Sequence, residues 1–173
     1  MPPHQCPQCH ADDCPYPAAD RKIQQDLSLK VYDMVEQLGY VFYQLKSMHE
    51  QADKINKEPT INKTLIKQVG DFARNAEKYK ATLTSLDGDF YIASSENLRE
   101  ELSRLYSSIV TFPGKPTETT MDRLKYFEGK LKDVQVKFES YKAQVDKLNE
   151  ALKKANVASA IKIKTFKDFK EDK

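Results

Sequence analysis

Tryptophan is absent from the 173 residues, and glycine occurs only five times. No apolar run approaches the ~18 residues that a membrane span requires, so no membrane partner is expected. Scarce turn formers argue against sheets built of short strands and favour long helices. Cysteine is confined to Cys6, Cys9 and Cys14, so everything after them must fold without disulfides. An excess of charge of one sign is missing too. Lys and Arg number 28 against 26 Asp and Glu, and the net charge is +2. The basic residues alternate with acids along the chain, which describes a solvated surface and leaves no electrostatic case for nucleic acid. The opening Met1-Pro2-Pro3-His4-Gln5 lacks the basic-then-apolar layout of a signal peptide.

What remains is 39% apolar and 31% charged, with the apolar residues regularly placed. Leu27, Val31, Met34, Leu38, Val41, Leu45, Met48, Ala52 and Ile55 step by fours and threes without a miss. Leu65, Val69, Phe72, Ala76, Tyr79, Leu83 and Leu86 repeat the pattern, as do Leu98, Leu102, Leu105, Ile109 and Phe112. A fourth series runs through Leu124, Phe127, Leu131, Val134, Phe138, Tyr141, Val145, Leu148, Leu152 and Ala155. Such spacing averages about 3.5 residues and keeps one coiled-coil-like seam facing a partner along each helix. Val35, Phe42, Tyr106, Val110 and Tyr126 lie beside the seams and widen them, as expected of helices that touch two neighbours.

The breaks fall between the seams. Lys57-Glu58-Pro59-Thr60 ends the first, Asp87-Gly88-Asp89 the second and Phe112-Pro113-Gly114-Lys115-Pro116-Thr117 the third. Ser94 or Ser95 can cap the third helix, and Thr119 with Asp122 reads as a capping box for the fourth. Connections this short predict that successive helices reverse direction. The expected fold is therefore all-α, an up-down-up-down antiparallel four-helix bundle over residues 18–156. Its first and last helices, about 36 residues each, would run about 54 Å. Residues 1–17 hold Pro2, Pro3, Pro7, Pro15 and Pro17 and form a separate leader, expected to be disordered. Residues 157–173 form a tail in which Ile161-Lys162-Ile163-Lys164 alternates with period two before Phe166 and Phe169. That tail is expected to cover the end of the bundle.

The one concentrated set of metal-ligand types is Cys6-Pro7-Gln8-Cys9-His10 with Cys14. Three thiolates and an imidazole suit tetrahedral zinc, with Cys6, Cys9, His10 and Cys14 as the metal ligands. The same five residues spell the attachment pattern of c-type haem, and a third reading is a leader whose thiols bind nothing. Elsewhere there is no Glu-x-x-His pair, no glycine-rich phosphate loop and no Gly-x-Ser-x-Gly elbow, so no catalytic residue is assigned and no enzyme is expected. His49, beside Met48, reads as a boundary histidine.

Pro17-Ala18-Ala19-Asp20, Gln24-Gln25-Asp26-Leu27-Ser28-Leu29, Leu105-Tyr106, Gly114-Lys115-Pro116-Thr117-Glu118 and the stretch from Leu148-Asn149 to Phe169 share a likeness. Across them the chain resembles the C-terminal helical region of bacterial VPS10/sortilin-like, BNR-repeat "glycosyl hydrolase" proteins. In that family a β-propeller carries any ligand or substrate site, and the helices follow a β-sandwich segment. The resemblance implies a non-catalytic accessory module whose partner is protein, either the propeller of a parent chain or a second copy. It also implies a periplasmic or secreted location. A stand-alone interaction bundle and a small zinc protein are the alternatives.

Overall fold

A computed structural model describes residues 16–58, 61–84, 97–112 and 114–171. These form five helices and no strand: α1 (Ala18–Ile55, 38 residues), α2 (Lys63–Ala81, 19 residues), α3 (Leu98–Thr111, 14 residues), α4 (Glu118–Lys154, 37 residues) and α5 (Phe166–Glu171, 6 residues). Among the described residues no helix is long and apolar enough to cross a membrane.

The seams are the core. Every position of the first series from Val31 to Ile55 is buried, and so is every position of the fourth from Leu124 to Leu152. Leu65, Val69, Phe72, Ala76, Leu102, Leu105 and Ile109 fill the space between them. Phe112 departs from its series at 55% exposed. Helix α3 has already stopped at Thr111, and Phe112 turns out in extended conformation at the C-cap. Tyr126 and Val110, expected beside the seams, also face solvent, so α3 and α4 carry narrower apolar stripes than their sequences suggest.

Helix ends are set by local chemistry. Asn62 Oδ1 accepts the Leu65 amide at 2.9 Å and starts α2. For α4 the cap is Thr117, whose Oγ1 accepts the Thr120 amide at 3.2 Å, so the helix begins before the Thr119–Asp122 box that the sequence offered. Ser94 and Ser95 lie outside the described residues.

Directions follow from the pairs that meet. His49 reaches the Ala73 carbonyl, which sets α2 antiparallel to α1. Gln24 Nε2 donates to the carbonyls of Ile109 and Phe112, both at 2.6 Å, which sets α3 antiparallel to α1 as well, at its other end. The Arg99 amide donates to the Leu83 carbonyl at 3.3 Å and joins the two short helices end to end. Helix α4 runs parallel to α1: Lys30 pairs with Glu128, Gln135 donates to Gln37 at 2.7 Å, and Tyr40 meets Phe138 edge-on at 6.1 Å.

The expected up-down-up-down order is thus not what the described residues form. Helices α2 and α3 point the same way and share the length of α1 between them. Reversal is forced by a short connection, whereas residues 82–97, 16 in all, separate α2 from α3. Here α2 spans about 28 Å and α3 about 21 Å of a rod about 57 Å long, so α3 continues from where α2 stops. Three rods result: α1, the α2–α3 pair antiparallel to it, and α4 parallel to it. The tail differs too. Instead of covering the end of the rods, it runs back along the flank of α1.

Candidate functional site

The flank that receives the tail is built from side-chain amides. Gln44 and Gln51 stand seven residues apart on α1, two helical turns, and so share a face. Asn149 projects from α4, half-buried, towards the same groove. Each amide takes hold of one tail residue by both its main-chain groups. Asn149 Nδ2 donates to the Ile161 carbonyl at 2.9 Å while its Oδ1 accepts the Ile161 amide at 2.8 Å. Gln51 Nε2 donates to the Lys162 carbonyl at 3.0 Å and its Oε1 accepts the Lys162 amide at 2.8 Å. Gln44 does the same with Lys164, accepting its amide at 3.1 Å and donating to its carbonyl. Tyr40 adds its hydroxyl to that carbonyl at 3.0 Å.

A carboxamide has the donor and acceptor of a peptide group, so three of them on a rigid surface reproduce part of a β-ladder without a partner strand. The tail accordingly forms neither helix nor turn from Val157 to Thr165. Its period of two then sorts the side chains. Ile161 is 2% exposed against the core, whereas Lys162 and Lys164 point out. Gln44 itself is completely buried, the deepest polar group in the described residues. Burying an amide is tolerable because both of its ends are bonded to the tail. Gln51 is steadied by Ser47, whose carbonyl and Oγ accept from Nε2 at 3.2 and 3.1 Å.

The far end of the tail is held by apolar contact. A reciprocal cap, with the Thr165 amide to Asp168 at 2.7 Å and the Asp168 amide to Thr165 at 3.2 Å, winds the single turn of α5. That turn drops Phe169 between Tyr40 and Tyr43, ring centroids 5.9 and 5.5 Å away. The Phe169 ring lies close over Gly39, where a Cβ would stand 3.4 Å from it, in van der Waals contact. Lys170 then pairs with Glu36 at 3.2 Å, and at the opposite end Ser159 bonds Glu58.

Of the residues singled out from the sequence, His49 lies away from the clamp. Cys6, Cys9, His10 and Cys14 fall outside the described residues. His49 is half-buried, its Nδ1 3.1 Å from the Ala73 carbonyl and its Nε2 3.6 and 3.8 Å from the carboxylates of Asp53 and Glu77. Where α2 meets α4, Tyr79 and Tyr141 stack at 5.6 Å, and the Tyr141 hydroxyl donates to the Asn75 carbonyl at 3.0 Å. Burial pushes the Tyr79 phenol up to about 12, helped by the neighbouring Tyr141 and Asp133, and burial raises Tyr141 as well. The amide clamp was missed in the sequence. Gln44, Gln51 and Asn149 look like ordinary polar helix residues, and only the alternation in the tail hinted at an extended ligand for them.

No family model, curated protein or solved structure matches this chain.

Proposed function

We propose that the chain is a non-catalytic helical interaction module, an accessory domain that works by holding polypeptide. The observation that carries this reading is the clamp, in which three carboxamides on α1 and α4 grip consecutive parts of an extended segment by its main chain. A surface that reads main chain through fixed amides is a device for binding polypeptide, in the manner of strand addition to a sheet edge. Its chemistry offers no nucleophile with an adjacent base and no acid–base pair directed at a bond. The likeness to the helical region that follows a propeller in VPS10/sortilin-like, BNR-repeat proteins supplies the larger partner, a propeller-bearing polypeptide.

Co-expression with a propeller polypeptide encoded beside this chain tests the reading. One complex on size exclusion, with no glycoside turned over by the chain alone, is the expected result. Glycoside turnover by the purified chain, or separate elution of the two polypeptides, would overturn it.

A further inference from the structure

The tail is joined to the rods through a single turn. Asn156 sits there at φ 55°, the only non-glycine residue with positive φ among the described residues. Its amide donates to the Lys153 carbonyl and the Val157 amide to the Leu152 carbonyl, at 3.1 and 3.0 Å, closing α4 with a left-handed residue. Asparagine tolerates this conformation better than other side chains, but the left-handed region still costs more than continuing the helix. Beyond that turn the grip on the main chain comes from Gln44, Gln51 and Tyr40 of α1 and Asn149 of α4. Nothing in the grip requires the tail to come from the same chain.

We propose that the groove also takes the tail of a second copy, so that two chains exchange residues 157–171 reciprocally and form a dimer. This rests on the reading of the chain as an interaction module and names one partner for it. When the hinge opens, Asn156 adopts helical φ, α4 runs on through it, and the tail leads away to the neighbour's groove. Each groove then holds the same ladder, the same buried Ile161 and the same Phe169 over Gly39. Closed and exchanged forms therefore use the same bonds, and the balance is set by hinge conformation and chain concentration. A second copy is the occupant because the sockets at Ile161 and Phe169 already fit this segment.

Light scattering coupled to size exclusion, on the full chain from micromolar to millimolar, reads the exchange. The dimer fraction should rise with concentration. Asn156→Ile puts a β-branched residue at the hinge and should strengthen dimerisation about tenfold per hinge, about a hundredfold for two. Asn156→Gly removes the penalty and should weaken it several-fold. Residue 156 is exposed, so the helices are insulated from both changes. An excess of synthetic peptide spanning 157–171 should return the dimer to monomers. An Asn156→Ile chain that keeps its helicity yet stays monomeric at millimolar concentration would sink the proposal, as would a dimer indifferent to the peptide. Neither outcome touches the propeller complex, which is measured separately where the chain is monomeric.

Discussion

Helix α1 has two sides that are bound in different ways. Towards α2, α3 and α4 it presents Val31, Leu38, Leu45 and Met48, buried with no polar atom among them. Towards the tail it presents Gln44, Gln51 and Tyr40, whose bonds go almost wholly to main chain. The first side recognises shape and volume, and each buried side chain there depends on its neighbours' close fit. The second recognises a backbone through its amides and carbonyls, with side-chain fit at Ile161 and Phe169. A dry seam makes a permanent contact, and a polar ladder with some of its bonds at the surface makes one that can open locally.

The largest effect that would sharpen this contrast is on the dry side. Phe138 is 3% exposed in the middle of α4, edge-on to Tyr40. Phe138→Ala should cost about 3–5 kcal/mol of global stability, a large share of a marginal total. Urea unfolding measures it, and a loss below ~1 kcal/mol would mean that the seam is not the core.

On the polar side a smaller and more local effect is expected. Gln44→Ala leaves the Lys164 amide and carbonyl without their main partner, worth about 1–3 kcal/mol. Hydrogen exchange should show the amides of Ile161, Lys162 and Lys164 opening faster while the core amides of α4 keep their protection. Equal loss in both places would erase the distinction between the two sides. The tail would then be part of the core.

The same contrast explains how much the sequence revealed. Apolar spacing marked α1, α2, α3 and α4, because a dry contact must be written in side chains at helical period. Residues of the fourth series from Leu124 to Leu152 are all buried as their spacing predicted. Helix direction was not written that way. The connection between α2 and α3, residues 82–97, is longer than the apolar series implied, and the reversal expected there does not occur. The clamp was illegible for a different reason. A glutamine that grips main chain has the same type and spacing as one that faces water, and complete burial of Gln44 is a tertiary fact. Ile161 and Phe169 did show that the tail packs, but not where.

Alkaline pH acts, by a modest amount, at a contact away from α1. The phenol of Tyr79, raised to about 12 from an ordinary 10, lies at the α2–α4 contact. Between those values the unfolded chain has released a proton that the folded chain still holds, so stability falls as pH rises. It is fully present below 10 and lost on the way through 12. Urea midpoints at pH 9 and 11 should therefore diverge more for the parent than for Tyr79→Phe. Tyr141, shifted in the same direction, keeps part of the dependence in the variant. Identical pH dependence in the two chains would show that Tyr79 is not the group responsible.

The smallest effect is expected from the leader. Among the described residues, every buried core residue lies at Val31 or beyond, and the tail clamp draws on residues 36–58, 149 and the tail itself. Removing residues 1–15 should therefore leave helicity unchanged and move stability by less than ~0.5 kcal/mol, the range of changes away from packed features. The same truncation bears on Cys6, Cys9, His10 and Cys14. Structural zinc contributes folding energy outright, because its ligands must be gathered by the fold they stabilise. A truncated chain that melts well below the parent, together with one zinc per parent chain lost on Cys9→Ser, would make the cysteine segment part of the architecture. Both sides of α1 would then be secondary to a metal-held end. An unchanged melting curve and less than stoichiometric zinc leave the dry seam and the amide clamp as the two contacts that define this protein.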